Sequence, residues 1–126
     1  MATWLDLALD NRAAAQELSG KGHYRSSVSR SYYAAYSAVV HLLSGKRVTY
    51  AYGRANPPHE AVAGYMVHSL TRPGRRTRER LAKTFRRLMK ARVDADYRPG
   101  LSCDLTMAKD ALRACYEIFT VTGVLP

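Results

Sequence analysis

The sequence predicts an all-α protein, an up-down antiparallel bundle of about five helices. Three observations predict it. Apolar residues recur every three or four positions along most of the 126-residue chain, and no strand pattern is convincing. Gly- and Pro-containing stretches break that period at "SGKG", "KRVTYAYGRANPPH", "TRPGRR" and "RPG". Most of these connections are short, which makes successive helices antiparallel neighbours.

The first helix opens at Thr3, with Asp6 at the capping-box position, and its core positions are Leu5, Ala8, Leu9, Ala15 and Leu18. The second runs from about Tyr24 to Ser44 and stops at Gly45. Within it Val28, Tyr32, Ala35, Val39 and Leu42 form one apolar stripe. A short third helix runs from near Pro58 to about Leu70. The fourth covers about Arg75 to Tyr97, with Leu81, Phe85 and Leu88 as its stripe. The fifth runs from about Asp104 to Thr122, with Ser102 or Cys103 near its cap. Its stripe is Leu105, Ala108, Leu112, Cys115 and Phe119.

At this length residues 1–126 are expected to form one domain around one core. No apolar run approaches the roughly 18 residues of a membrane span, and the start "MATWLDLALDNR" lacks the basic and apolar regions of a leader. A cytoplasmic protein with no membrane association is the expectation. Cys103 and Cys115 lie too far apart along one helix to bridge each other. No CxxC or HExxH spacing occurs, so no metal site and no cofactor is expected.

The net charge is +10, with fifteen Arg and five Lys. From Arg72 to Arg98 there are eleven Lys/Arg against three Asp/Glu. Such an arm favours an acidic partner: RNA, a nucleotide or an acidic protein. Arg76 and Arg86 are its candidate substrate contacts.

A second face of helix 2 carries Ser26, Arg30, Tyr33, Ser37 and His41 at helical spacing. It is either the solvent edge of an amphipathic helix or one wall of a polar cleft. Helix 4 bears on the choice, because its apolar stripe continues into Arg92 and Ala95. A guanidinium at a core-type position needs an acceptor or an acidic ligand. Asp96 is the local partner. Either the two form a simple pair near the helix end, or Arg92, Asp96 and Tyr97 line a cleft with Arg30 and Tyr33.

The segments "SRSYYAAYSAVVHLL", "PPHEAVAGYM" and "ARVDADYRPG" resemble the HEPN domain, in particular small stand-alone bacterial HEPN proteins. Arg30, Tyr32, Tyr33 and Ala34 match that group's R-x-YYA helix. His59 matches its third-helix His, and Arg92, Ala95, Asp96 and Tyr97 match its R-x-x-ADY segment. The resemblance covers about residues 4 to 122. It implies a helical bundle that often dimerises, and a toxin or defence component acting on RNA, frequently paired with a minimal nucleotidyltransferase antitoxin. Active members are metal-independent endoribonucleases with an R-x(4-6)-H motif and one site built from two copies. On that basis His59, Arg92 and Arg30 are the candidate catalytic residues, and Tyr33, Asp96 and Tyr97 the candidate substrate contacts. Some members are silenced by AMP attached to a tyrosine placed as Tyr97 is.

The sequence departs from the nuclease pattern at one point: no His follows Arg92 at the required spacing. The only literal match is "RANPPH" from Arg54 to His59, and chance yields about one such match in a chain of this composition. Three classes therefore stand: a ribonuclease with a composite site, a non-catalytic module binding RNA or a nucleotide, and a subunit docking an acidic antitoxin.

Overall fold

The computed structural model describes residues 1–125, apart from the side chain of Ala51. Five α-helices form: α1 Trp4–Gly20, α2 Tyr24–Ser44, α3 Val62–His68, α4 Arg75–Tyr97 and α5 Leu105–Val121. No strand occurs among the described residues. Helix α2 is the central post, packing against α1, α4 and α5, while α3 packs against α4.

Local chemistry sets the ends. Thr3 accepts from the Asp6 backbone N–H while its own N–H donates to the Asp6 carboxylate, the reciprocal cap that the sequence predicts. The third helix differs from expectation: a 3₁₀ turn, His59–Ala61, precedes the α-helical segment. At α5 the cap is Asp104, whose carboxylate accepts from Met107, and not Ser102 or Cys103. A carboxylate at that position also complements the positive end of the helix dipole.

The core is built on Tyr32, Val39, Leu43, Leu81, Phe85, Leu88, Ile118 and Phe119. Removing a ring such as Phe85 typically costs about 3–5 kcal/mol. The apolar stripe holds along α4 and only in part on the other helices. On α2 the buried residue after Val39 is Leu43, and Leu42 is half-buried. A straight helix slips about 20° per seven residues against a 4-3 repeat, enough to exchange neighbours after several turns. On α5 Leu112 is half-buried and Leu105 is exposed, while Ala111, Ala114 and Ile118 take the interior. On α1 the buried positions are the small ones, Ala8 and Ala15, with Leu5 and Leu18 half-buried and Leu9 exposed. Small residues let the α1 and α2 backbones approach, so that buried Ser27 donates from its Oγ to the Ala15 carbonyl at 2.7 Å.

Both cysteines are free. Cys115 is buried and its thiol is pushed up to about 12 by that burial, which keeps it unreactive. No described helix is long and apolar enough to cross a membrane.

Candidate functional site

Helix α2 presents Arg30, Tyr32, Tyr33 and Tyr36 over two turns. Helix α4 brings Arg92 against them, and the "NPPH" segment lays His59 over the tyrosines. The Arg92 guanidinium carbon lies 5.1 Å from the Tyr32 ring centre, 5.6 Å from that of Tyr33 and 5.8 Å from that of Tyr97. Its side chain is only 11% exposed. The simple pair with its head in water is therefore not what forms: the head sits among aromatic faces. Asp96 reaches it at 3.8 Å, an ion pair beyond hydrogen-bond length, and Arg92 Nε is buried with no hydrogen-bond partner among the described residues. Asp96 also accepts from Ser29 Oγ at 3.1 Å.

Arg30 finds its partner on α1, away from Asp96. It donates to Asn11 Oδ1 of α1 at 3.0 Å and lies 5.0 Å from the Tyr33 ring centre. Tyr33 thus lies in cation–π reach of both guanidiniums, Arg30 and Arg92. An aromatic quadrupole attracts each cation without cancelling its charge. Only one of the two arginines is paired with Asp96.

His59 is the most constrained member. Its ring stacks on Tyr36 with centres 4.4 Å apart and planes at 22°. Tyr36 in turn donates to the Pro57 carbonyl at 2.8 Å, which fixes the loop that carries His59. His59 Nδ1 lies 2.6 Å from the Tyr32 hydroxyl. Tyr32 is fully buried, and burial raises its pKa far out of reach, so it stays a neutral phenol that must place its proton somewhere. His59 Nδ1 is its only hydrogen-bond partner among the described residues. The hydroxyl therefore donates, Nδ1 accepts, and the neutral imidazole carries its hydrogen on Nε2. Burial and then the Arg92 charge lower the His59 pKa, with Glu60 opposing, so the neutral ring prevails near pH 7.

His59 lines two clefts. One, of about 370 Å³, is walled by Lys90, Arg92, Asp94 and Arg98. The other, of about 360 Å³, is walled by Trp4, Asn11, Arg30, Tyr33 and Asn56. Tyr97 is 70% exposed at the end of α4. Arg76 and Arg86 are exposed on α4 and neither pairs with a carboxylate among the described residues. Arg54 of "RANPPH" is exposed in the loop, and no hydrogen bond or ion pair joins it to His59.

Sequence reasoning brought together Arg92, Asp96, Tyr33 and His59 but missed Tyr32, Tyr36, Asn11, Ser29 and Trp4. One signal was present for Tyr32: a tyrosine at a core position needs a partner for its hydroxyl. Asn11 and Trp4 gave none, because they depend on how α1 lies across α2.

Neither a curated protein nor a solved structure matches the chain. The family model of the HEPN domain matches residues 1–124, nearly all of it. With that match and the helical bundle described above, the chain belongs to the HEPN domain family, whose members are in general ribonucleases or nucleotide-binding modules.

Proposed function

We propose that this HEPN domain acts on RNA by gripping its phosphates with Arg92, His59 and Arg30, as a binding module first. One observation carries the reading: a guanidinium 11% exposed that keeps an unpaired Nε and only a 3.8 Å carboxylate. A buried cation that is so poorly matched within its own chain gains most from an anionic ligand. His59 adds an Nε2–H donor beside it, and the surplus of Lys and Arg on α4 supplies the attraction at longer range. Tyr33, Asp96 and Tyr97 frame the grip, and Arg76 and Arg86 extend it along the arm.

The test is single-stranded RNA binding measured across salt concentration, with wild type and Arg92→Gln. We expect about tenfold weaker binding in the variant, and a salt slope reduced by about 0.7, the share of one phosphate contact. Wild-type protein that binds no RNA even at low salt sinks the proposal.

Metal-independent ribonuclease activity is the second reading, favoured by a neutral His59 next to Arg92. Its obstacle is that the Nδ1 lone pair is engaged by Tyr32 and Nε2 carries a hydrogen. A general base needs a free lone pair within reach of the ribose hydroxyl. Catalysis therefore requires the Tyr32 hydroxyl to let go, or a second copy in a homodimer to complete the site. In a toxin or defence setting, the basic face would dock an acidic nucleotidyltransferase antitoxin, with the exposed Tyr97 hydroxyl open to modification.

A further inference from the structure

The two clefts that share His59 differ in chemistry, and the difference assigns a ligand to each. On the Arg92 side the wall is ionic: Lys90, Arg92 and Arg98 with Asp94. On the Arg30 side that one guanidinium stands among aromatic and apolar groups with amides at the rim, namely Trp4, Leu7, Tyr33, Asn11 and Asn56. An RNA monomer is divided in the same way, into an anionic phosphate and a flat base with donors and acceptors on its edge. Resting on the RNA reading above, we infer that the α1–α2 cleft is a nucleobase subsite, taking one unpaired base while its phosphate lies against Arg92.

Three features of the cleft support this. Its volume of about 360 Å³ falls in the range of small-ligand sites, about 300–1,000 Å³. Trp4 is half-buried with its ring held edge-to-face by Tyr36 at 6.2 Å, and Leu7, one turn on, is 39% exposed. The close fit of α1 on α2 uses alanines, which leaves these larger side chains at the rim as a partly wet apolar platform. A stacked base covers such a platform, and stacking on a fixed aromatic ring is tolerant of base identity. The edge groups are also distinguishable. Asn11 donates to the Leu7 carbonyl at 2.9 Å and accepts from Arg30, so it serves to hold Arg30. Asn56 is exposed with no hydrogen bond among the described residues, and it offers both a donor and an acceptor to a base edge. A base inside a duplex is stacked on both faces, so the class is single-stranded RNA.

Trp4 is the only tryptophan of the chain, so its emission reports on this cleft alone. The experiment titrates full-length protein with a short ribo-oligonucleotide and with its abasic counterpart of equal length and charge. We expect the first to quench Trp4 and to bind about tenfold more tightly, and the second to bind without quenching. Labelled oligonucleotide should lose that advantage on Trp4→Leu, and in part on Asn56→Ala, an exposed loop change that leaves the bundle intact. If both ligands bind equally, through Arg92 and without any change in Trp4 emission, the base subsite is wrong and the phosphate grip stands. If neither binds at low salt, the RNA reading and the subsite fall together.

Discussion

Arg25 and Arg92 both carry a guanidinium into the contact between α2 and α4, and their surroundings are opposite. Arg25 meets the end of α4, where it donates to the carbonyls of Asp94 at 3.4 Å, Ala95 at 3.0 Å, Arg98 at 3.3 Å and Pro99 at 3.4 Å, and to that of Leu101. Of these, the Ala95 carbonyl is one that the helix C-terminus leaves open, while those of Arg98, Pro99 and Leu101 belong to the loop that follows, so one side chain ties the helix end to that loop. Arg92, one to two turns earlier, meets three aromatic faces, one distant carboxylate and no carbonyl. A saturated guanidinium is a structural clamp. An unsaturated one among rings keeps its capacity for an anion.

The largest effect that would break this comparison is on stability. Arg25→Ala leaves the Ala95 carbonyl and those of the following loop without this donor and should lower the unfolding free energy by about 2–3 kcal/mol, read from urea denaturation. Arg92→Gln should change it by less than about 1 kcal/mol, because a 3.8 Å pair contributes little and a buried unpaired donor is removed. Equal losses in the two variants would show that Arg92 is a clamp as well.

A smaller effect comes from His59 and sharpens the same contrast. Its folded pKa lies below its unfolded value near 6.5 because burial and Arg92 disfavour the charged ring. The unfolded chain therefore takes up the proton first as pH falls. Stability from this group is full above about pH 6.5 and declines between that value and the lower folded pKa, below which the loss is complete. His59→Asn should flatten the decline between urea curves at neutral and mildly acid pH. RNA binding should move the other way, tightening as the ring gains its charge. A wild-type binding curve insensitive to pH over this window would remove His59 from the phosphate grip.

The sequence made visible what depends on one helix at a time. Period and Gly/Pro breaks placed five helices, and an arginine continuing the stripe of Leu81, Phe85 and Leu88 marked Arg92 before any contact was known. Asp96 at the next turn of the same helix was equally plain. What was hidden depends on two elements meeting. Asn11 rather than Asp96 holds Arg30 because α1, not α4, covers that side of α2. Tyr32 pairs with His59 because the "NPPH" loop crosses the helix there. Arg25 gave no sign of its role, since its acceptors are backbone carbonyls that carry no residue identity. The stripe end at Leu42 was misplaced because helical drift accumulates with length.

The smallest expected structural effect carries the sharpest functional information. Tyr32→Phe deletes one hydroxyl from a fully buried ring and keeps its packing on Phe85, 5.4 Å away, and on the Arg92 guanidinium. The lost hydrogen bond should cost about 1 kcal/mol. The imidazole then loses the donor that fixed its tautomer. Nδ1 and Nε2 become free to exchange the hydrogen, so a lone pair is available on either nitrogen. If the protein is a binding module, Tyr32→Phe should bind RNA as wild type does and cut none. If it is a nuclease held back by the Tyr32 bond, the variant should cut faster than wild type. EDTA should leave that rate unchanged, and the products should end in 2′,3′-cyclic phosphate. His59→Ala in the same background should abolish the gain by about a hundred-fold or more, the usual contribution of a general base. A variant that cuts more slowly than an active wild type would mean that the Tyr32 hydroxyl orients a catalytic His59, and the tautomer argument would then be reversed.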